Sequence, residues 1–156
     1  MKDDKVFTWQ ENVEIVIRDI HGNVIDTTGF HNQITDSALN WMAKALMCTS
    51  THEPDLKYMA WGSNGSTTST AHTTLVTETG RKVVTSQTSS GVGKCFTVCY
   101  ISPSEGVGSI GELGWFAGSS ATAVVNTGCM ISRSTYTRVK TSLESLTVTR
   151  TDSFTT

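Results

Sequence analysis

At 156 residues the chain fits one domain, since single domains commonly run to about 100–200 residues. Charged residues make up 17% of it and the formal net charge is −2, too little field to steer the protein to nucleic acid or to an anionic membrane. No apolar leader follows Met1-Lys2-Asp3-Asp4-Lys5, and no stretch approaches the roughly 18 apolar residues of a membrane span. The expectation is a soluble chain made in the cytoplasm, with no nucleic-acid and no membrane partner. The charge is uneven: residues 1–112 carry 8 basic and 12 acidic side chains, residues 113–156 carry 4 and 2.

Residues 1–12 are mixed and polar apart from Phe7 and Trp9, which share one side of an extended segment. They read either as a cap on the domain's own core or as an arm that docks on a neighbour, with residues 13–156 forming a single β-rich domain. Strands are expected over 13–18 and 23–26 around a turn at His21-Gly22-Asn23, because Asn and Gly tolerate the positive φ such turns require. One helix is predicted over about 35–48: Thr35 suits the N-cap, Asp36 the positive end of the dipole, and Ile34 can staple onto Leu39. Leu39, Met42 and Leu46 form its apolar stripe, read as core because a sheet must bury its inner face against something. A short buried strand over 56–61 follows, then a Ser/Thr-rich loop over 63–70. Strand candidates then recur at 82–87, 94–102, 111–116, 127–132, 135–140 and 145–150, separated mostly by short Gly-, Ser- or Asn-rich gaps. That rhythm predicts a mainly β fold, a β-sandwich or jelly-roll-like single domain with one short α-helix and an N-terminal arm or hairpin.

Motifs that would carry chemistry do not assemble. Gly106-Val-Gly108-Ser-Ile-Gly111 has the letters of a dinucleotide fingerprint, but strand rather than helix follows it and no acid occurs between Glu112 and Glu144, so it reads as a turn between strands. His21, His31, His52 and His72 show no metal-ligand spacing, and no serine sits in a nucleophile motif. Cys95 and Cys99 share a strand face about 13 Å apart, too far for a disulfide, and with Cys48 and Cys129 read as reduced, small apolar side chains. Of the carboxylates, Glu105 and Glu112 flank the glycine turn, and Glu144 and Asp152 flank the last strand; a catalytic pair among them is weaker than a structural reading. Arg133, Arg138, Lys140 and Arg150 alternate with Thr and Ser and read as solvated strand faces or intersubunit pairs. Trp115 and Phe116 are adjacent, so in a strand they face opposite sides and the second face needs a cover: a helix, a loop or a neighbouring subunit.

Residues 29–156 resemble tailed-bacteriophage virion structural proteins, namely capsid decoration (cement) proteins and related tail-fibre attachment domains. The strings that carry the resemblance, in order, are Gly29-Phe-His-Asn-Gln-Ile-Thr35 running into a short helix, Ala60-Trp-Gly62, a loop with Leu75 and Glu78 before Arg81, Ile110-Gly-Glu-Leu-Gly-Trp-Phe116, Cys129-Met-Ile-Ser-Arg133, and Lys140-Thr-Ser-Leu-Glu-Ser-Leu-Thr-Val-Thr-Arg150-Thr-Asp152. The resemblance implies a virion protein that self-associates as a homotrimer, partners the major capsid protein or tail and baseplate proteins, and carries no cofactor and no reaction. With no shaft after Asp152, a decoration subunit is favoured over a fibre. Phe7, Trp9, Trp61, Trp115 and Phe116 are the candidate interface residues. A rival reading is a carbohydrate- or receptor-binding module using Trp61 and the loop after Gly62.

Overall fold

The computed structural model describes residues 6–47, 53 and 55–156. The chain order is β1 (Thr8–Asp19), β2 (Val24–His31), β3 (Gln33–Ile34), α1 (Asp36–Leu46), β4 (Leu56–Gly62), β5 (Glu78–Val83), β6 (Ser86–Ser89), β7 (Lys94–Ile101), β8 (Gly108–Ala117), β9 (Cys129–Lys140) and β10 (Glu144–Thr155). Two five-stranded antiparallel sheets form, ordered β2-β1-β10-β7-β6 and β3-β9-β8-β4-β5, and pack as a β-sandwich. Alternation decides the inner face: Val13, Ile15 and Ile17 of β1 join Leu146 and Val148 of β10 and Cys99 and Ile101 of β7, against Met59, Leu113, Trp115 and Ile131 from the other sheet.

The first hairpin forms as expected. Gly22 takes φ 86°, and the Asp19 carboxylate accepts the backbone N–H groups of His21 at 2.8 Å and Asn23 at 2.9 Å. The glycine run is a turn between β7 and β8, with positive φ at Gly106 and Gly108. Cys95 and Cys99 point inward on β7, and Cys95, Cys99 and Cys129 are free thiols; burial pushes the Cys99 thiol up to about 12 and that of Cys129 up to about 11. Cys48, His52 and residues 1–5 lie outside the described residues.

Three expectations are corrected. Residues 8–12 do not form a separate arm but begin β1, which pairs with β10 from Thr8↔Thr155 to Asp19↔Glu144. The run expected as one strand over 82–87 is two: Val84 N–H still bonds Lys57 O in one sheet, Thr85 N–H bonds Val98 O in the other, and the chain changes sheets between them. Conversely, the strands expected over 127–132 and 135–140 are one, β9, with an irregularity opposite Trp115 and Phe116; its polar Ser132-Arg133-Ser134 centre conceals that continuity.

Helix α1 starts where its cap predicts. Thr35 Oγ1 accepts from Ala38 N–H at 3.1 Å and donates to Met130 O at 2.6 Å, tying the helix start to β9. Its apolar stripe is not core, however. Ala38 is the buried contact, Trp41, Met42 and Ala45 are half-buried, and Leu39 and Leu46 are 56% and 84% exposed. Ten strands fill the interior themselves, so the helix closes one end and needs only a narrow buried strip. Thr35→Ala removes a cap and a buried hydrogen bond together, and urea denaturation is expected to show a loss of about 2 kcal/mol, with Thr35→Ser losing less.

Candidate functional site

Of the four last-third cations, Arg138 is partly exposed and pairs with Asp26 and Glu144, but the other three are not on solvated faces. Arg133 and Arg150 are fully buried and Lys140 is 1% exposed. Arg150 of β10 donates to both oxygens of Asp152 at 2.7 Å and to Ser132 Oγ of the opposite sheet at 2.8 Å. Its Nη1 also lies 3.1 Å from Glu11 Oε2 of β1. Ser132 and Asn32 donate to Glu11 Oε1. Burial raises the Glu11 carboxyl above its ordinary range, against the pull of Arg150.

Two further buried pairs lie on the outer face of the second sheet. Glu112 accepts from Arg133 Nε at 2.7 Å and from the N–H groups of Val76 and Thr77, while Arg133 reaches Thr67 O; together they fasten the 63–77 loop down. Glu78 and Arg81 pair at 2.5 Å and hold the 122–127 loop through Thr122 O, Thr127 O and Asn126 N–H. The first loop lies so close that a Cβ on Gly111 would meet Ser63 O at 2.6 Å and one on Gly114 would meet Leu75 at 2.8 Å. Under these loops Phe116 packs with Ala60, Leu75, Ala121 and Met130, with Arg81 4.4 Å above its ring. The cover for the second face of β8 is therefore the chain's own loops.

The interface candidates separate accordingly. Trp115 and Phe116 are fully buried and Trp61 is 8% exposed, so these three present no surface to a partner, and Trp61 offers no open ring for stacking a sugar. Glu112, Glu144 and Asp152 are held by Arg133, Arg138 and Arg150. Among the described residues no group of potential metal ligands forms, and no helix is long and apolar enough to cross a membrane.

Phe7 and Trp9 do come together at an open surface. Trp9 Nε1 donates to Asp152 Oδ1 at 2.7 Å, and Phe154 stacks on Trp9 at 5.5 Å and on Phe7 at 6.0 Å. This aromatic group, with Ile34, Leu39 and Leu46, lines an apolar groove of about 720 Å³ between the sandwich end and α1. Phe7 is 66% exposed. The helix stripe and Phe154 were not candidates from sequence; the stripe was visible, but only the filled interior shows that it faces out. Comparison with protein-family models, curated proteins and solved structures finds no match for the chain.

Arg150→Met would leave Glu11 and Asp152 buried without their cation, and a loss of about 3–5 kcal/mol is expected in chemical denaturation. Glu11 titrates in the opposite sense to a paired surface acid. Its folded pKa lies above the ordinary 4.5, so its contribution to stability is complete below that value and is lost as pH rises through the folded pKa. Glu11→Gln cannot ionise, so its stability relative to the native chain is expected to improve as pH rises above 4.5 in a series of urea melts and then to level off.

Proposed function

We propose that this chain is a structural, non-enzymatic subunit of a tailed-phage particle, a capsid decoration protein that docks through its helix end. The observation that carries the proposal is the groove formed by Phe7, Trp9, Phe154 and the outward stripe of α1. Exposed apolar patches of this kind, bordered by polar side chains, mark protein contacts. The resemblance of residues 29–156 to virion proteins supports the particle as the setting, and the groove supplies what a decoration subunit needs, a dry contact on an otherwise Thr- and Ser-rich surface. The action is cumulative: each copy adds a modest contact, and the symmetry of the shell multiplies it.

The test is binding to particles. Antibody against the chain should label the heads of the phage that encodes it, whereas label on the tail would move the subunit there, and unlabelled particles would overturn the reading. Leu39 and Leu46 are exposed, so the double variant Leu39→Asp, Leu46→Asp is expected to fold with an almost unchanged melting midpoint. It should nevertheless lose at least about tenfold in affinity for stripped capsids by co-sedimentation, as expected when central apolar anchors are removed.

A further inference from the structure

The sandwich has a second unused surface, on the side formed by β2 and β9. In the first sheet β2 is the outermost strand, and its outer edge has no strand partner among the described residues. In the second sheet β3 covers β9 only at Arg133 and Ser132, so residues 134–140 have no strand on that side among the described residues. Stacking of Phe30 on Tyr136 at 5.9 Å closes the space between the two sheets there. Both open edges therefore lie on one flank. Around them Ile20, Val24, Ile25, Val139 and Leu143 are exposed, from 53% at Val24 and Ile25 to 69% at Val139.

The geometry points to pairing of this flank with the same flank of a second copy, β2 running antiparallel to its counterpart about a two-fold axis and extending the first sheet across both molecules. An open edge presents a row of main-chain N–H and C=O groups that only another strand satisfies in series. The other outer strands are less suited: β3 has two residues, β6 has four, and Glu78 and Arg81 of β5 hold the 122–127 loop. Val24–His31 contains neither the Lys nor the Pro that commonly guards an edge, and its irregularity falls near the turn, opposite Ile17 and Arg18. The occupant is a second copy because the flank is self-compatible. The one acid of β2, Asp26, already faces Arg138 at 3.4 Å, and Arg138 pairs with Glu144 at 2.7 Å, so two such flanks meet without unpaired like charge. The size is also adequate: eight residues of strand span about 26 Å, and two sheets with their side chains are about 20 Å deep. That gives about 500 Å² per copy and about 1,000 Å² in all, where specific interfaces begin. This inference does not depend on the particle assignment, because the helix-end groove takes no part in it.

Light scattering of the full chain and thiol cross-linking test it. The native protein is expected at the mass of two chains in the micromolar range, and Ile25→Lys, which puts a cation on each edge, should raise the dissociation constant at least about tenfold with the melting midpoint kept. Independently of that variant, Thr27→Cys should link copy to copy with a short bis-maleimide above the level of the native cysteines, and Gln87→Cys on β6 should not. A one-chain or three-chain mass for the native protein, or cross-linking through position 87 instead of 27, would overturn the two-fold pairing.

Discussion

A guanidinium sealed inside a sandwich sets the terms for much of this fold. Arg150 is without solvent, and a buried charge that is left uncompensated costs several kcal/mol. Its partners come from three strands: Asp152 from its own, Glu11 from β1 and Ser132 from β9 across the interior. A one-residue slip of β10 against β1 would turn Arg150 and Asp152 to the outer face while Glu11 stayed inside. The cluster thus penalises wrong registers more sharply than Val13, Ile15 and Ile17 can, because those apolar residues would lose area but leave no charge unpaired.

The cluster also shapes the surface. Asp152 takes the Trp9 indole N–H, which seats the start of β1; Phe154 then stacks on Trp9 and Phe7 and forms one wall of the groove. Glu112 with Arg133 and Glu78 with Arg81 repeat the device on the outer face of the second sheet, where each pair satisfies loop main-chain groups as well as itself. Loops carry polar backbone that needs partners when buried, and these pairs provide them. With that face closed, Phe116 becomes interior, while Leu39 and Leu46 at the helix end and Val24 and Ile25 on β2 stay exposed.

Much of the fold was legible where the determining contacts are local. The His21-Gly22-Asn23 turn, the Thr35 cap and the shared strand face of Cys95 and Cys99 follow from neighbours in sequence. What was not legible depends on partners far along the chain. Arg150 and Arg133 sit among Thr and Ser, a pattern that a solvated strand shares, and only folding brings Glu11 and Glu112 to them. The α1 stripe failed for a related reason: periodicity shows that one side of a helix is apolar, but whether that side faces a core depends on how much space the strands leave. Phe7 and Trp9 read from sequence either as a cap on the core or as an arm on a neighbour, and they stack with Phe154 at an open apolar groove, whereas the pairing of residues 8–12 with β10 was hidden by their polar neighbours.

The two surfaces assigned to partners differ in what recognises them. At the helix end the chemistry is side-chain area, and affinity there depends on shape and on the particular residues Leu39, Leu46, Phe7 and Phe154. Along β2 the chemistry is main chain, which tolerates side-chain change but demands an antiparallel strand at hydrogen-bonding distance. A subunit that uses both can keep either contact weak. The proposed two-fold pairing would present two helix-end grooves on one dimer, so a partner surface that engaged both would gain from the high effective concentration of the second. The relation between the two surfaces then matters more than the strength of either, and the buried Arg150 cluster, which joins the paired strands β1 and β10 to β9 of the opposite sheet, is one of the contacts that hold it.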